Sequence, residues 1–125
     1  MPGFTTALVL SLSLMALISL ASLIPHEPGR ARSILGRTLD RTPAPLQKLL
    51  HVGLYGLLAL LLVWSLGTID AFALRMLTAF IIAVGFGAVM EWCQTRVPGR
   101  VGSLADVLLN AAGAALGLLA ATFMA

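Results

Sequence analysis

Apolar residues fall in four long blocks along this chain, and the polar ones gather between them. The blocks run from about residue 4 to 24, 46 to 66, 71 to 94 and 104 to 124. An apolar helix of about 20 residues spans roughly 30 Å of hydrocarbon, and each block has that length. A bilayer offers no water to the backbone, so only helices satisfy segments of this kind. The pattern predicts an all-α integral membrane bundle of four transmembrane helices, forming one domain over residues 1–125. The breaks carry their own signals. Pro25 ends the first block, Pro45 suits the first turn of the second, "GTID" is a tight link and "TRVPGRVGS" a turn-rich one. The long basic loop 25–45 contains "RSILGRTLDR", which fits a short interfacial amphipathic helix.

Composition agrees. Hydrophobic residues make up 59% and charged residues 10%, against about 25% charged in a soluble domain. The mean hydropathy is +1.00. Cys93 is the single cysteine, which excludes an intramolecular disulfide or a multi-cysteine metal cluster. The pI near 10 comes from eight Lys and Arg spread over loops without interleaved aromatics. That distribution excludes nucleic acid as a partner and fits the basic loops of a membrane protein. The first block exceeds the h-region of a signal peptide and no Lys or Arg precedes it. It reads as a retained helix.

Counting passes brings the polar residues together. With side A defined as the face holding the first and third loops, helix two starts there, helix three ends there and helix four starts there. Lys48, His51, Tyr55, Glu91, Gln94, Arg100, Asp106 and Asn110 then lie at or just inside one face. At 1.5 Å per residue, Tyr55 and Asn110 are about 10–15 Å inside their helix starts. Trp64 and Trp92 sit near helix ends, where an aromatic belt belongs.

Each helix contributes a face. Lys48, His51 and Tyr55 are spaced three and four apart. Lys48 can snorkel and Tyr55 can be interfacial, but a histidine on an apolar helix needs a polar partner inside the bundle. Glu91 and Gln94 share a face that Gly87 and Val84 continue inward. A buried Glu91 must be protonated, paired or reached by water; Arg100 is the first expected partner and His51 the second. Ser103 and Asp106 have capping-box spacing, with Asp in place of Glu or Gln. Asn110 lies a turn deeper, and Gly113 and Gly117 extend that face as a G-x-x-x-G packing stripe.

His51 with Glu91 or Asp106 would make a base and its orienter, so these three are the catalytic candidates. No serine or cysteine nucleophile stands beside them. One histidine in the cluster, without H-E-x-x-H, gives no metal site, and no cofactor is implied. Arg100 would hold a phosphate or carboxylate, and anionic lipid headgroups are the natural ligands at that depth.

Together, "KLLHVGLYGLLALLL" and "GFGAVMEWCQTRVPGRVGSLADVLLNAAGAALGLL" resemble the VanZ-like family of small bacterial membrane proteins. The likeness covers about residues 46 to 119. It rests on Lys48, His51, Tyr55, Glu91, Gln94, the Pro98-Gly99-Arg100 turn, Asp106, Asn110 and Gly113. The family is named for a protein associated with low-level teicoplanin resistance and has no firmly assigned reaction. The resemblance therefore implies a fold and a site, in a bacterial plasma membrane, and no chemistry.

Orientation arguments conflict. Side A holds seven Lys and Arg, against Arg75 alone on side B, and the positive-inside rule puts side A in the cytoplasm. The resemblance implies the reverse, and the polar site is assigned to the outer face. Three functions are carried forward. The first is a pocket of helices two, three and four that binds a cell-envelope lipid or glycolipid headgroup. The second is an intramembrane enzyme using His51 and Glu91 on such a lipid. The third is a structural subunit, or homo-oligomer, whose Gly113 and Gly117 pack on a partner helix.

Overall fold

The computed structural model describes residues 2–23, 44–97 and 102–124. Arg100 and the expected interfacial helix lie outside them. The described residues form four helices and no strand: α1 (Phe4–Ser22), α2 (Ala44–Ser65), α3 (Phe72–Gln94) and α4 (Leu104–Met124). Each is long and apolar enough to cross a membrane. Leu12, Leu17, Leu20, Leu77, Ile81, Leu108, Leu116 and Phe123 are exposed on the outside of the bundle. Hydrocarbon is the solvent that accepts such a surface.

α1 ends at Ser22, where the Leu23 N–H returns to the Ser19 carbonyl. α2 begins at Ala44, with Pro45 in its first turn. The tight link makes α2 and α3 antiparallel neighbours, and Arg75 fastens it. The Arg75 guanidinium donates to the Ile69 carbonyl from Nε (3.1 Å) and Nη2 (2.8 Å), and to the Gly67 carbonyl (3.5 Å).

α2 is the central helix and touches the other three. Its Tyr55, Leu58, Ala59, Leu61, Leu62 and Val63 form the middle of the core. Leu14 and Ile18 of α1, Ala79 and Ala83 of α3, and Ala114, Leu118 and Ala121 of α4 close around them.

The largest interface joins α2 to α4, and glycine is what permits it. A Cβ on Gly117 would strike the Gly56 carbonyl, and one on Gly113 would strike the Val52 carbonyl. The helices thus meet backbone to backbone, as small-residue stripes allow. This corrects the expectation of a partner helix. The Gly113 and Gly117 face is already filled by α2, because Gly56 supplies the matching gap within the same chain.

A different contact sets the register of α1. Buried Ser11 and Ser65 share a hydrogen bond of 2.9 Å, and each also donates to the carbonyl four residues back. Ser11 is the eighth residue of α1, while Ser65 is the last of α2. α1 is therefore shifted toward side B and stops level with about Leu54. The first ten or so residues of α2, on the order of 15 Å, continue past its end.

Candidate functional site

That step between α1 and α2 leaves a partly open cavity of about 100 Å³ on side A. Its described lining is Ile18, Ala21 and Ser22 of α1, Gln47, Leu50, His51, Leu54 and Tyr55 of α2, and Gln94 of α3. A pocket built from helices two, three and four was expected. The described lining instead takes one wall from α1, a single residue from α3 and none from α4. The physical reason is the stagger: α1 ends where the polar face of α2 begins, whereas α4 is pressed too closely against α2 to leave space.

Three of the anticipated residues border this space. His51 is half-buried, and its ring stacks on Tyr55 at 6.4 Å between centroids and 14° between planes. Tyr55 is buried and also packs on Phe86, at 6.2 Å. Gln94 is buried at the end of α3. Neither the Tyr55 hydroxyl nor the Gln94 side-chain amide has a hydrogen-bond partner among the described residues. Sequence reasoning missed Gln47 and the whole α1 wall. The signal for Gln47 was present, since Gln47, His51 and Tyr55 follow at intervals of four on one helical face.

Behind the cavity, His51 reaches α4. Its Nδ1 lies 3.2 Å from the Asn110 Oδ1. Asn110 is 1% exposed, yet its Nδ2 has no hydrogen-bond partner among the described residues. A buried donor left unpaired costs about 1–3 kcal/mol. Gly87 makes the space for this amide: a Cβ there would come within 3.0 Å of both the Asn110 Nδ2 and the Tyr55 ring. The expected orienters of His51 were Glu91 and Asp106; the hydrogen-bonded one is Asn110.

Glu91 has a different task. Its carboxylate is buried, and Oε2 accepts the backbone N–H of Ser103 at 3.1 Å. Ser103 is the residue before α4, and its Oγ accepts the Asp106 N–H at 3.1 Å. This is a capping box with one leg exchanged. The reciprocal bond, which Asp106 was expected to make, is made by Glu91 from the neighbouring helix. The helix N-terminus favours a negative group there. Gly102 presses against the end of α3 so closely that a Cβ would meet the Glu91 carbonyl. Glu91 and Asp106 thus do not line the cavity. The expected partners for Glu91 were Arg100, outside the described residues, and His51, which bonds Asn110 instead.

Two further basic residues, Lys48 and Arg96, are exposed near the side A ends of α2 and α3. Lys48 is exposed one turn from His51. Arg96 is exposed and lies over the exposed Trp92 ring, 4.1 Å from its centroid. Such a pair suits a membrane interface, with the ring at headgroup depth and the cation toward water.

Comparison with known proteins adds one result to this geometry. No curated protein and no solved structure matches the chain. A family model described as VanZ/LLP1 matches residues 4–125, extending the likeness from α2–α4 to all four helices. The chain, a multi-pass membrane protein by its four spans, belongs to the VanZ/LLP1 family.

Proposed function

We propose that this protein binds an envelope lipid or glycolipid by its polar end, in the cavity where α1 stops short of α2. The observation that carries the reading is the lining itself. Ile18, Leu50 and Leu54 give apolar walls, while His51, Tyr55 and Gln94 bring polar groups to the same small space. Sites for small ligands have this make-up, mostly apolar with a few convergent polar groups. Lys48, exposed one turn from His51, would meet an anionic headgroup outside the cavity. Lys48, His51, Tyr55 and Gln94 are the contacts, with Asn110 holding His51 from behind.

The protein acts by binding rather than by catalysis in this reading. An enzyme using His51 and Glu91 together has less support, because the Glu91 carboxylate is engaged by the start of α4. Its setting is a bacterial plasma membrane, with side A facing outward. Reconstitution in discs of native bacterial lipid, followed by electron-microscopic reconstruction, tests the reading. Lipid density entering between Ile18 and Leu50 and ending at His51 is the expected result. A cavity holding water alone would contradict it.

A further inference from the structure

The contact between His51 and Asn110 constrains what the cavity can hold. An amide oxygen only accepts hydrogen bonds. Asn110 presents Oδ1 to the His51 Nδ1, so the bond requires the proton on Nδ1. In the neutral ring this leaves a lone pair on Nε2, which has no hydrogen-bond partner among the described residues. The arrangement is held from three sides. Asn110 is fully buried, Gly87 packs against its amide, and Tyr55 stacks on the imidazole. The Asn110 Nδ2 has no hydrogen-bond partner among the described residues.

The charges of the lining point the same way. No Lys or Arg is among its described residues; Lys48 is exposed one turn from His51. A phosphate drawn into this space would lose its hydration without a counter-charge beside it. An alcohol loses little. It can donate to a ring nitrogen and accept from the Tyr55 hydroxyl or the Gln94 amide, both of which can donate. The first methylenes behind it would lie against Ile18, Leu50 and Leu54.

We propose that Asn110 is a positioning residue that fixes His51 as the Nδ1–H tautomer, and that the cavity selects an uncharged lipid alcohol through the His51 Nε2. This rests on the lipid-binding reading above and names its ligand class. A phosphate on the same lipid stays outside, at Lys48.

The test uses the full chain in detergent with 15N-labelled histidine. The chain has two histidines, and His26→Gln leaves only His51 to observe. Oleyl alcohol and oleyl phosphate, which differ in the charged group alone, are the probes. Expected is a protonated Nδ1 and an unprotonated Nε2 before addition, then a shift of Nε2 with oleyl alcohol and none with oleyl phosphate. Asn110→Leu should mix the two tautomers and weaken oleyl alcohol binding about tenfold, the worth of one hydrogen bond. The wild-type tautomer is read whether or not that variant folds. An Nε2–H tautomer overturns the inference, and if native mass spectrometry of that sample still finds bound lipid, the lipid-binding reading stands without it. An equal or larger shift with oleyl phosphate overturns the choice of an alcohol. No binding of either probe overturns the alcohol as ligand, and absence of any co-purified lipid as well takes the lipid-binding reading with it.

Discussion

Glu91 and Ser103 join two membrane helices by one hydrogen bond: the carboxylate at the end of α3 accepts the N–H that opens α4, at 3.1 Å. If that bond is its task, Glu91→Gln should be mild, because the amide oxygen can still accept. Glu91→Ala should lower stability by about 1 kcal/mol, the worth of the hydrogen bond to the half-buried Ser103 N–H. Thermal unfolding in detergent distinguishes the two. Equal losses would mean that the charge, and not the acceptor, holds the junction.

Gly117 and Gly113 should tolerate no side chain. Alanine at either meets the backbone of α2, where nothing can swing away, and the overpacking should cost about 1–3 kcal/mol. Gly53 and Gly85 are the internal controls, since a Cβ at either has nothing within 4 Å. Alanine there should stabilise by about 0.5–1 kcal/mol through helix propensity. Melting temperatures of the four single variants check the contrast.

Arg75 holds the α2–α3 turn by two carbonyls. Arg75→Lys keeps the charge but loses the fork that serves Ile69 twice. Both Arg75→Lys and Arg75→Ala should therefore open the turn to protease, with Ala cut faster. Resistance equal to wild type in the lysine variant would show that charge alone is enough.

The four spans were legible because hydrocarbon thickness writes directly into sequence as block length. His51, Tyr55 and Gln94 came together for a related reason: counting passes puts distant helix ends on one face. What the sequence concealed were relations between helices. The stagger of α1 depends on Ser11 meeting Ser65, two serines with nothing to mark them in their own apolar runs. The cavity follows from that stagger, so its α1 wall was invisible too. Asn110 could be placed deep on α4, but its pairing with His51 depends on how glycines set the α2–α4 register. Glu91 looked like chemistry because a lone carboxylate in an apolar run has no local explanation. The explanation is the first N–H of the next helix.

The proposed outward orientation of side A fixes where the termini should lie. With side A outward, both ends of the chain lie in the cytoplasm. A reporter fused after residue 125 should be active only as a cytoplasmic reporter. A periplasmic C-terminus would reverse the assignment of the site.

The central claim is that the cavity between α1 and α2 is a lipid site, and blocking it is the most direct test. Ala21→Phe places a ring among Ile18, Leu50 and Leu54, the apolar lining of the cavity. Native mass spectrometry after gentle extraction should find lipid bound to the wild-type chain and lost from this variant, with the fold intact by circular dichroism. The same lipid retained on a folded Ala21→Phe protein would contradict the claim.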